Sequence, residues 1–161
     1  MIRLCILIAA VLGICAPAPA SAQSVVLLVG PKSGVKSVAE FAAWAKKSRK
    51  PLAYSSSGPA SQRLGEALAQ KLAIKTVHIP YRAASQGILD LIGGHIDFSV
   101  VDVGAAAGQI QGGLVAALAV AAKQRIPGFP DVPTFAEAGY PELISRGPVN
   151  SPWPLLAHAR N

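Results

Sequence analysis

The chain has 161 residues, a length typical of one domain, and 52% of the residues are hydrophobic while 14% are charged. This composition is typical of a protein with a buried core and excludes an intrinsically disordered chain. The formal net charge is +7, and nine lysines and arginines lie between Lys32 and Lys75 against only Glu40 and Glu66. Two interpretations of this basic stretch stay open: solvated helix faces, or a positive field that attracts anionic ligands. Nucleic acid is not an expected partner, because the basic run at 46–50 has no interleaved aromatic residues.

Residues 1–22 have the pattern of a secretory signal peptide. Arg3 supplies a positive charge, residues 4–16 are apolar, and Ala20-Ser21-Ala22 is a small-residue cleavage site. The apolar run is shorter than the about 20 residues that a membrane span needs. Lipidation at Cys15 is the alternative to cleavage after Ala22. Both cysteines of the chain lie in this segment, so a chain cleaved at Ala22 has no disulfide, thiol nucleophile or cysteine-bound metal.

Strands and helices alternate through residues 23–142. Apolar and β-branched runs predict strands at 25–29, 52–55, 76–79, 96–101 and 114–120. Helices are predicted from a capping box at Ser37 and Glu40, from about Ser61, from a cap at Ser85 to Gly93-Gly94, and over 104–110. The apolar faces of the first two helices are Val38, Phe41, Ala42 and Ala45, and then Leu64, Leu68 and Leu72. This alternation predicts an α/β fold, a three-layer sandwich with a mostly parallel sheet.

The C-terminal part is less regular. Thr134 and Glu137 form a second capping box, which predicts a one-turn helix that ends at Gly139. Residues 143–161 contain three prolines and no periodicity, and we expect an irregular, loosely ordered tail.

A serine-rich turn, Ser55-Ser56-Ser57-Gly58-Pro59, lies between a predicted strand and a predicted helix. Ligands of open parallel sheets bind at the carboxyl ends of strands, where a helix N-terminus offers unpaired N–H groups to an anion. We therefore predict a carboxylate cradle formed by Ser56, Ser57, Gly58 and Ser61. The alternative is a turn whose serines cap their own backbone.

Further candidates follow the next two strands. Tyr81 could offer a hydroxyl or a ring face, and Arg82 a guanidinium that binds a carboxylate with two hydrogen bonds. The alternative is that Tyr81 packs and Arg82 is solvated, and His78 is predicted to be a plain strand residue. Asp102 either forms part of the ligand pocket or caps a helix that begins at Gly104.

We do not expect an enzyme. The serine turn is not a G-x-S-x-G nucleophile elbow, and a catalytic serine would also need a base within hydrogen-bond reach. The sequence contains no phosphate loop, dinucleotide fingerprint or metal-binding spacing. Catalytic residues, cofactors and metals are therefore not predicted.

Two segments carry a family resemblance: residues 76–97 (TVHIPYRAASQGILDLIGGHID) and 130–141 (PDVPTFAEAGYP). Together with residues 35–46, 54–58 and 118–125 in the same order, they resemble the periplasmic solute-binding proteins of tripartite tricarboxylate transporters, the Bug-type receptors. The resemblance implies a fold similar to domain 2 of type II periplasmic binding proteins. It also implies a periplasmic receptor that takes up small organic carboxylates, with the transporter's membrane subunits as partners. The Ser/Gly loop and a polar residue near Asp102 are implied to contact the ligand.

The resemblance covers the second domain of such receptors, and we expect a truncated form without the first. Two alternatives stay open: a remnant that no longer binds, and a secreted module that meets another protein through an exposed hinge face. The identity of the carboxylate is not predicted.

Overall fold

The computed structural model describes residues 24–144, in which a five-stranded sheet is covered by helices on both faces. The predicted signal peptide, its cysteines and all but two residues of the predicted tail lie outside this range. The strands are β1 (Val25–Val29), β2 (Leu52–Ser56), β3 (Thr76–His78), β4 (Phe98–Asp102) and β5 (Ala116–Val120). The helices are α1 (Val38–Lys47), α2 (Pro59–Leu72), α3 (Ala84–Gly93) and α4 (Val103–Gln111), with 3-10 turns at Pro31–Ser33 and Pro141–Leu143.

The sheet is mixed, with one reversed strand. Its order is β3-β2-β4-β1-β5. Strand β2 pairs in parallel with both β3 and β4, whereas β1 pairs antiparallel with both β4 and β5. Four of the five strands therefore run in the same direction, and the predicted mostly parallel sandwich is confirmed.

Each face of the sheet has its own apolar cluster. Alternate residues of β1 point to opposite sides: Leu27 joins the cluster under α1 and α2, and Leu28 joins the cluster under α3 and α4. The predicted inward leucines of α2 are all in the first cluster, and Phe41 of α1 packs there edge-on against Phe98 with ring centroids 5.3 Å apart. A sheet buried on both faces explains why the strands are almost uninterrupted apolar runs.

Two predicted helix starts are corrected. Helix α2 begins at Pro59 rather than near Ser61, which suits proline because the first helical position needs no N–H donor. Helix α3 begins at Ala84 after an extended Ala83, and no side chain caps it, so the predicted cap at Ser85 is wrong. At the other end the prediction holds, since Gly94 adopts the left-handed conformation with φ of 77°.

The segment after β5 returns to the sheet. Thr134 pairs with Val120, and the predicted exchange is present: the Thr134 N–H donates to Glu137 Oε2 at 2.7 Å, and the Glu137 N–H donates to Thr134 Oγ1 at 3.2 Å. The residues that follow form turns rather than the predicted one-turn helix. Leu143, the first residue of the predicted tail, is buried in the core beneath α1 and α2. Within residues 24–144 no helix is long and apolar enough to cross a membrane.

Candidate functional site

The carboxyl ends of β2, β3 and β4 lie side by side, and each is followed by a helix. We call this side of the sheet the carboxyl edge; its strand-terminal residues are Ser56, His78 and Asp102. Helices α2, α3 and α4 begin there, and none of them has a hydrogen bond from the side chain of its N-cap residue. The exception among the four helices is α1, where Ser37 Oγ accepts from the Glu40 N–H at 3.2 Å. Helix α1 follows β1, which ends at the opposite edge.

Uncapped helix starts leave backbone N–H groups unpaired and carry a partial positive charge. The N-cap of α2 is Gly58, which has no side chain to accept from the N–H groups of the first turn. Ser61 supplies only the returning half of a capping box, since its hydroxyl oxygen accepts from the Gly58 N–H at 2.9 Å. Three such starts at one edge form an arrangement suited to an anion.

Ser57 connects the ends of β2 and β4. Its hydroxyl donates to Asp102 Oδ2 at 2.8 Å and accepts from the Asp102 N–H at 3.2 Å. The Ser57 N–H donates to Ser61 Oγ at 3.0 Å, and the side chain of Ser61 is buried. Ser57, Gly58 and Ser61, which were predicted as one cradle, therefore form a hydrogen-bonded cluster with Asp102, which was predicted separately.

Asp102 occupies the N-cap position of α4, yet its side chain does not cap that helix. The helix begins at Val103, one residue before the predicted Gly104, and the Val103 N–H donates to the carbonyl of Ser24 at 2.9 Å. Of the two predicted roles of Asp102, capping is therefore wrong, because its side chain accepts no hydrogen bond from α4. The carboxylate is directed toward the serine loop instead.

Ser56 meets a partner that the sequence did not predict. Its Oγ lies 2.8 Å from Nε2 of His78, the last residue of β3, so His78 is more than a plain strand residue. A serine beside a histidine is the first requirement of a serine hydrolase. Within the described residues, however, the His78 ring donates no hydrogen bond to a carboxylate that would orient it. Ser56 also lies in regular strand geometry rather than on a sharp turn.

Tyr81 and Arg82 are not part of the serine cluster. The Tyr81 hydroxyl donates to Asp90 Oδ2 at 2.6 Å, and the ring packs in the cluster beneath α3 and α4. Burial first, and then the hydrogen bond and charge of Asp90, raise the pKa of Tyr81 to about 12. Arg82 is exposed at the end of the β3–α3 loop, just before α3 begins. The structure therefore agrees with the packing alternative for Tyr81, and Arg82 is exposed to solvent, as that alternative also predicted.

A buried polar pair lies under the site and was missed by the sequence reasoning. Ser55 and Ser99 occupy paired positions of β2 and β4, and their hydroxyl oxygens are 2.8 Å apart. Gly87 of α3 lies directly over Ser55, so a Cβ atom at residue 87 would come within 2.5 Å of Ser55 Oγ. The available signal was a serine within each of two mostly apolar strands, together with a glycine on an apolar helix face.

The basic run at 46–50 is exposed, and it precedes the start of β2 rather than its end. Five strand residues separate the two ends of β2, a distance of about 13 Å at the usual rise of about 3.3 Å per residue. Mobile ions screen exposed charges over about 8 Å at physiological ionic strength. This geometry favours the interpretation of the run as solvated helix surface.

The sequence also matches a known family. The family model described as the tripartite tricarboxylate transporter family receptor matches residues 12–155. The chain belongs to this receptor family. Among its relatives is a UPF0065 protein of Bordetella bronchiseptica, which is 31% identical over 121 residues; these are 75% of this chain and 36% of the relative. The chain thus spans little more than a third of that relative's length.

Solved receptors agree in fold. MatC from Rhodopseudomonas palustris, solved with bound malate, superimposes with a TM-score of 0.71 and 27% identity over 76% of this chain and 42% of its own. A second R. palustris protein, solved with adipate, superimposes with a TM-score of 0.70 and 26% sequence identity. The match covers 74% of this chain and 40% of that protein. The predicted family and its fold are confirmed. No group of three or more potential metal ligands occurs between residues 24 and 144.

Proposed function

We propose that the carboxyl edge of this chain binds small organic carboxylates and that the chain serves as a receptor for their uptake. One observation carries the proposal: the three helices that begin at this edge are all uncapped by their N-cap side chains, whereas α1 is capped. The Val103 N–H is taken by the Ser24 carbonyl and Pro59 has no N–H, so the N–H groups of the following residues in each first turn offer hydrogen bonds and favourable electrostatics to an anion. Membership of a receptor family agrees with this chemistry.

The proposed contacts are Ser56, Ser57, Gly58, Ser61, Arg82 and Asp102, with Tyr81 as a packed neighbour. Arg82 is the exposed cation among them and would neutralise part of a ligand's charge. The chain spans about 36–42% of the length of the relatives named above.

Partners and location form part of the same proposal. A tripartite tricarboxylate transporter would contribute membrane subunits that receive the ligand from this receptor. The location would be the periplasm, reached through the predicted signal peptide at 1–22. The proposed role involves binding without chemistry.

The alternative of a protein-interaction module finds no specific support. An uncovered hinge face would expose a group of large apolar side chains. The exposed large hydrophobic residues of the described chain are Val77, Leu89 and Leu114, which belong to β3, α3 and the α4–β5 loop. Single exposed residues on separate elements are normal for a protein surface.

The experiment is a ¹H–¹⁵N correlation spectrum of the protein, recorded with and without a millimolar pool of small carboxylates. We expect saturable shifts at Ser57, Gly58, Ser61, Arg82 and Asp102. The basic run at 46–50 is the internal control, since simple charge attraction would shift it too. A dispersed spectrum without saturable shifts, or with shifts only at 46–50, would contradict the proposed function.

A further inference from the structure

A carboxylate lies within a site that otherwise suits anions. Asp102 ends β4 at the carboxyl edge, beside the uncapped starts of α2 and α4. A negative charge at this position repels a second carboxylate, while it attracts a cation or a hydrogen-bond donor. The ligand chemistry suited to this edge therefore depends on what Asp102 can still accept.

The hydrogen bonds of Asp102 leave one oxygen available. Oδ2 accepts the Ser57 hydroxyl, whereas Oδ1 makes no hydrogen bond to any residue between 24 and 144. No buried side-chain oxygen of the described residues lacks a partner, so this oxygen reaches solvent. The second observation is that the Asp102 carboxylate accepts no hydrogen bond from the first turn of α4, although the residue occupies the N-cap position.

Ser57 is committed to the same carboxylate. A hydroxyl has one proton, and that of Ser57 is donated to Asp102. The hydroxyl therefore cannot also donate to a ligand carboxylate while this bond is present. The Ser57–Asp102 pair is an acceptor toward the ligand, and the donors of the site are the uncapped N–H groups and Arg82.

We propose that Asp102 makes this site selective for carboxylates that also carry a hydrogen-bond donor, an ammonium first and a hydroxyl second. This inference rests on the proposed function and names its ligand class. The ligand's carboxylate would meet the uncapped helix starts, and its donor would meet Asp102 Oδ1. An ammonium both donates and cancels the charge of Asp102, a hydroxyl only donates, and a plain diacid does neither.

The test is isothermal titration of the full chain with acids of matched carbon skeleton that differ at one position. One set is aspartate, malate and succinate; the other is glutamate, 2-hydroxyglutarate and glutarate. We expect the amino acid of at least one set to bind about ten-fold more tightly than the plain diacid, which corresponds to about 1.4 kcal/mol, with the hydroxy acid between them.

The variant Asp102→Asn removes the charge and keeps an oxygen that accepts from Ser57. We expect the affinities within each set to converge to within about three-fold, with the amino acid weaker and the plain diacid stronger than in the unchanged protein. The matched control is Glu66→Gln, which removes one exposed negative charge from α2 outside the edge. This control should bind the three acids of each set in the same order of affinity as the unchanged protein. Retained binding of the plain diacid by Asp102→Asn also shows that the variant is folded.

Two results would overturn this inference and leave the proposed function standing. One is a plain diacid that binds the unchanged protein as tightly as its amino acid, a measurement that needs no variant. The other is an equal gain for all three acids in Asp102→Asn, which would mean that Asp102 only occupies the positive helix starts. If no acid of either set binds, the proposed function fails as well, and the two failures are thus distinguishable.

Discussion

Ser57 and Asp102 share a hydroxyl between two parallel strands: Ser57 Oγ donates to Asp102 Oδ2 at 2.8 Å and accepts from the Asp102 N–H at 3.2 Å. The two residues are 45 positions apart in the chain, and each directly precedes or occupies the N-cap of a helix. This contact therefore fixes the starts of α2 and α4 relative to each other. The geometry of the carboxyl edge depends on it.

Replacing Ser57 by Ala should destabilise the fold. The change removes a hydrogen bond to a charged group, which is worth about 1–3 kcal/mol. Urea unfolding followed by circular dichroism measures the loss. The matched control is Ser85→Ala, at an exposed serine that does not cap α3, where we expect a change within about 0.5 kcal/mol. Equal effects of the two substitutions would contradict the structural role of Ser57.

The sequence predicted the sandwich because its signals are local and strong. Apolar runs, caps and glycine stops gave five strands and four helices, and β1 was predicted with its observed bounds. The reversed direction of β1 was not predicted, since no local pattern encodes which neighbour a strand will pair with. Two helix starts also deviate: α2 begins at Pro59, because proline suits the first helical position, and α3 begins at Ala84 without the predicted cap by Ser85.

The site was predicted in part for the same reason. Serines and an aspartate that follow parallel strands must share one edge, so the cluster of Ser57, Ser61 and Asp102 was within reach. The pairs Ser56–His78 and Ser55–Ser99 were not, because they depend on strand register. The Tyr81 hydroxyl was predicted to be available to the cleft, but it donates its hydrogen bond to Asp90, nine residues later.

Gly87 is expected to tolerate no side chain. A Cβ at this position would lie 2.5 Å from Ser55 Oγ and 2.8 Å from Ser55 Cβ, and Ser55 is fully buried. We expect Gly87→Ala to lower the free energy of unfolding by about 1–3 kcal/mol, the usual cost of overpacking. The control is Gly108→Ala in α4, where an added Cβ would meet no neighbouring side chain or other element within 4 Å, and it should raise stability by up to about 1 kcal/mol. A neutral Gly87→Ala would mean that α3 can move away from the sheet.

The stability of the fold should decrease at alkaline pH. The pKa of Tyr81 is raised to about 12 by burial and by Asp90, and the pKa of Tyr54 to about 12 by burial and by Glu66. The folded state thus binds these protons more tightly than the unfolded state, in which tyrosine has a pKa of about 10. Their stabilising contribution is complete below pH of about 10 and is lost as the pH rises toward 12.

Ultraviolet difference titration and thermal unfolding across this pH range test the point. Tyr81→Phe should remove one late tyrosine transition and flatten the alkaline loss of stability, and Tyr54→Phe should do the same separately. Tyr54 stacks on Phe98 with ring centroids 4.9 Å apart, and phenylalanine preserves that stacking. Loss of a transition near pH of about 10, instead of a late one, in Tyr81→Phe would contradict the bond to Asp90.

Arg82 and Lys46 should differ in their effect on ligand affinity, although both are exposed cations. Arg82 lies just before the start of α3 at the carboxyl edge. Lys46 lies near the end of α1, which leads into the first residue of β2 and not into its carboxyl end. We expect Arg82→Ala to weaken carboxylate binding about five-fold or more, equivalent to about 1 kcal/mol, and Lys46→Ala to change it less than two-fold. Titration at two salt concentrations measures both effects. If the two substitutions weaken binding equally and the loss disappears at high salt, a diffuse positive field attracts the ligand, and Arg82 has no specific contact with it.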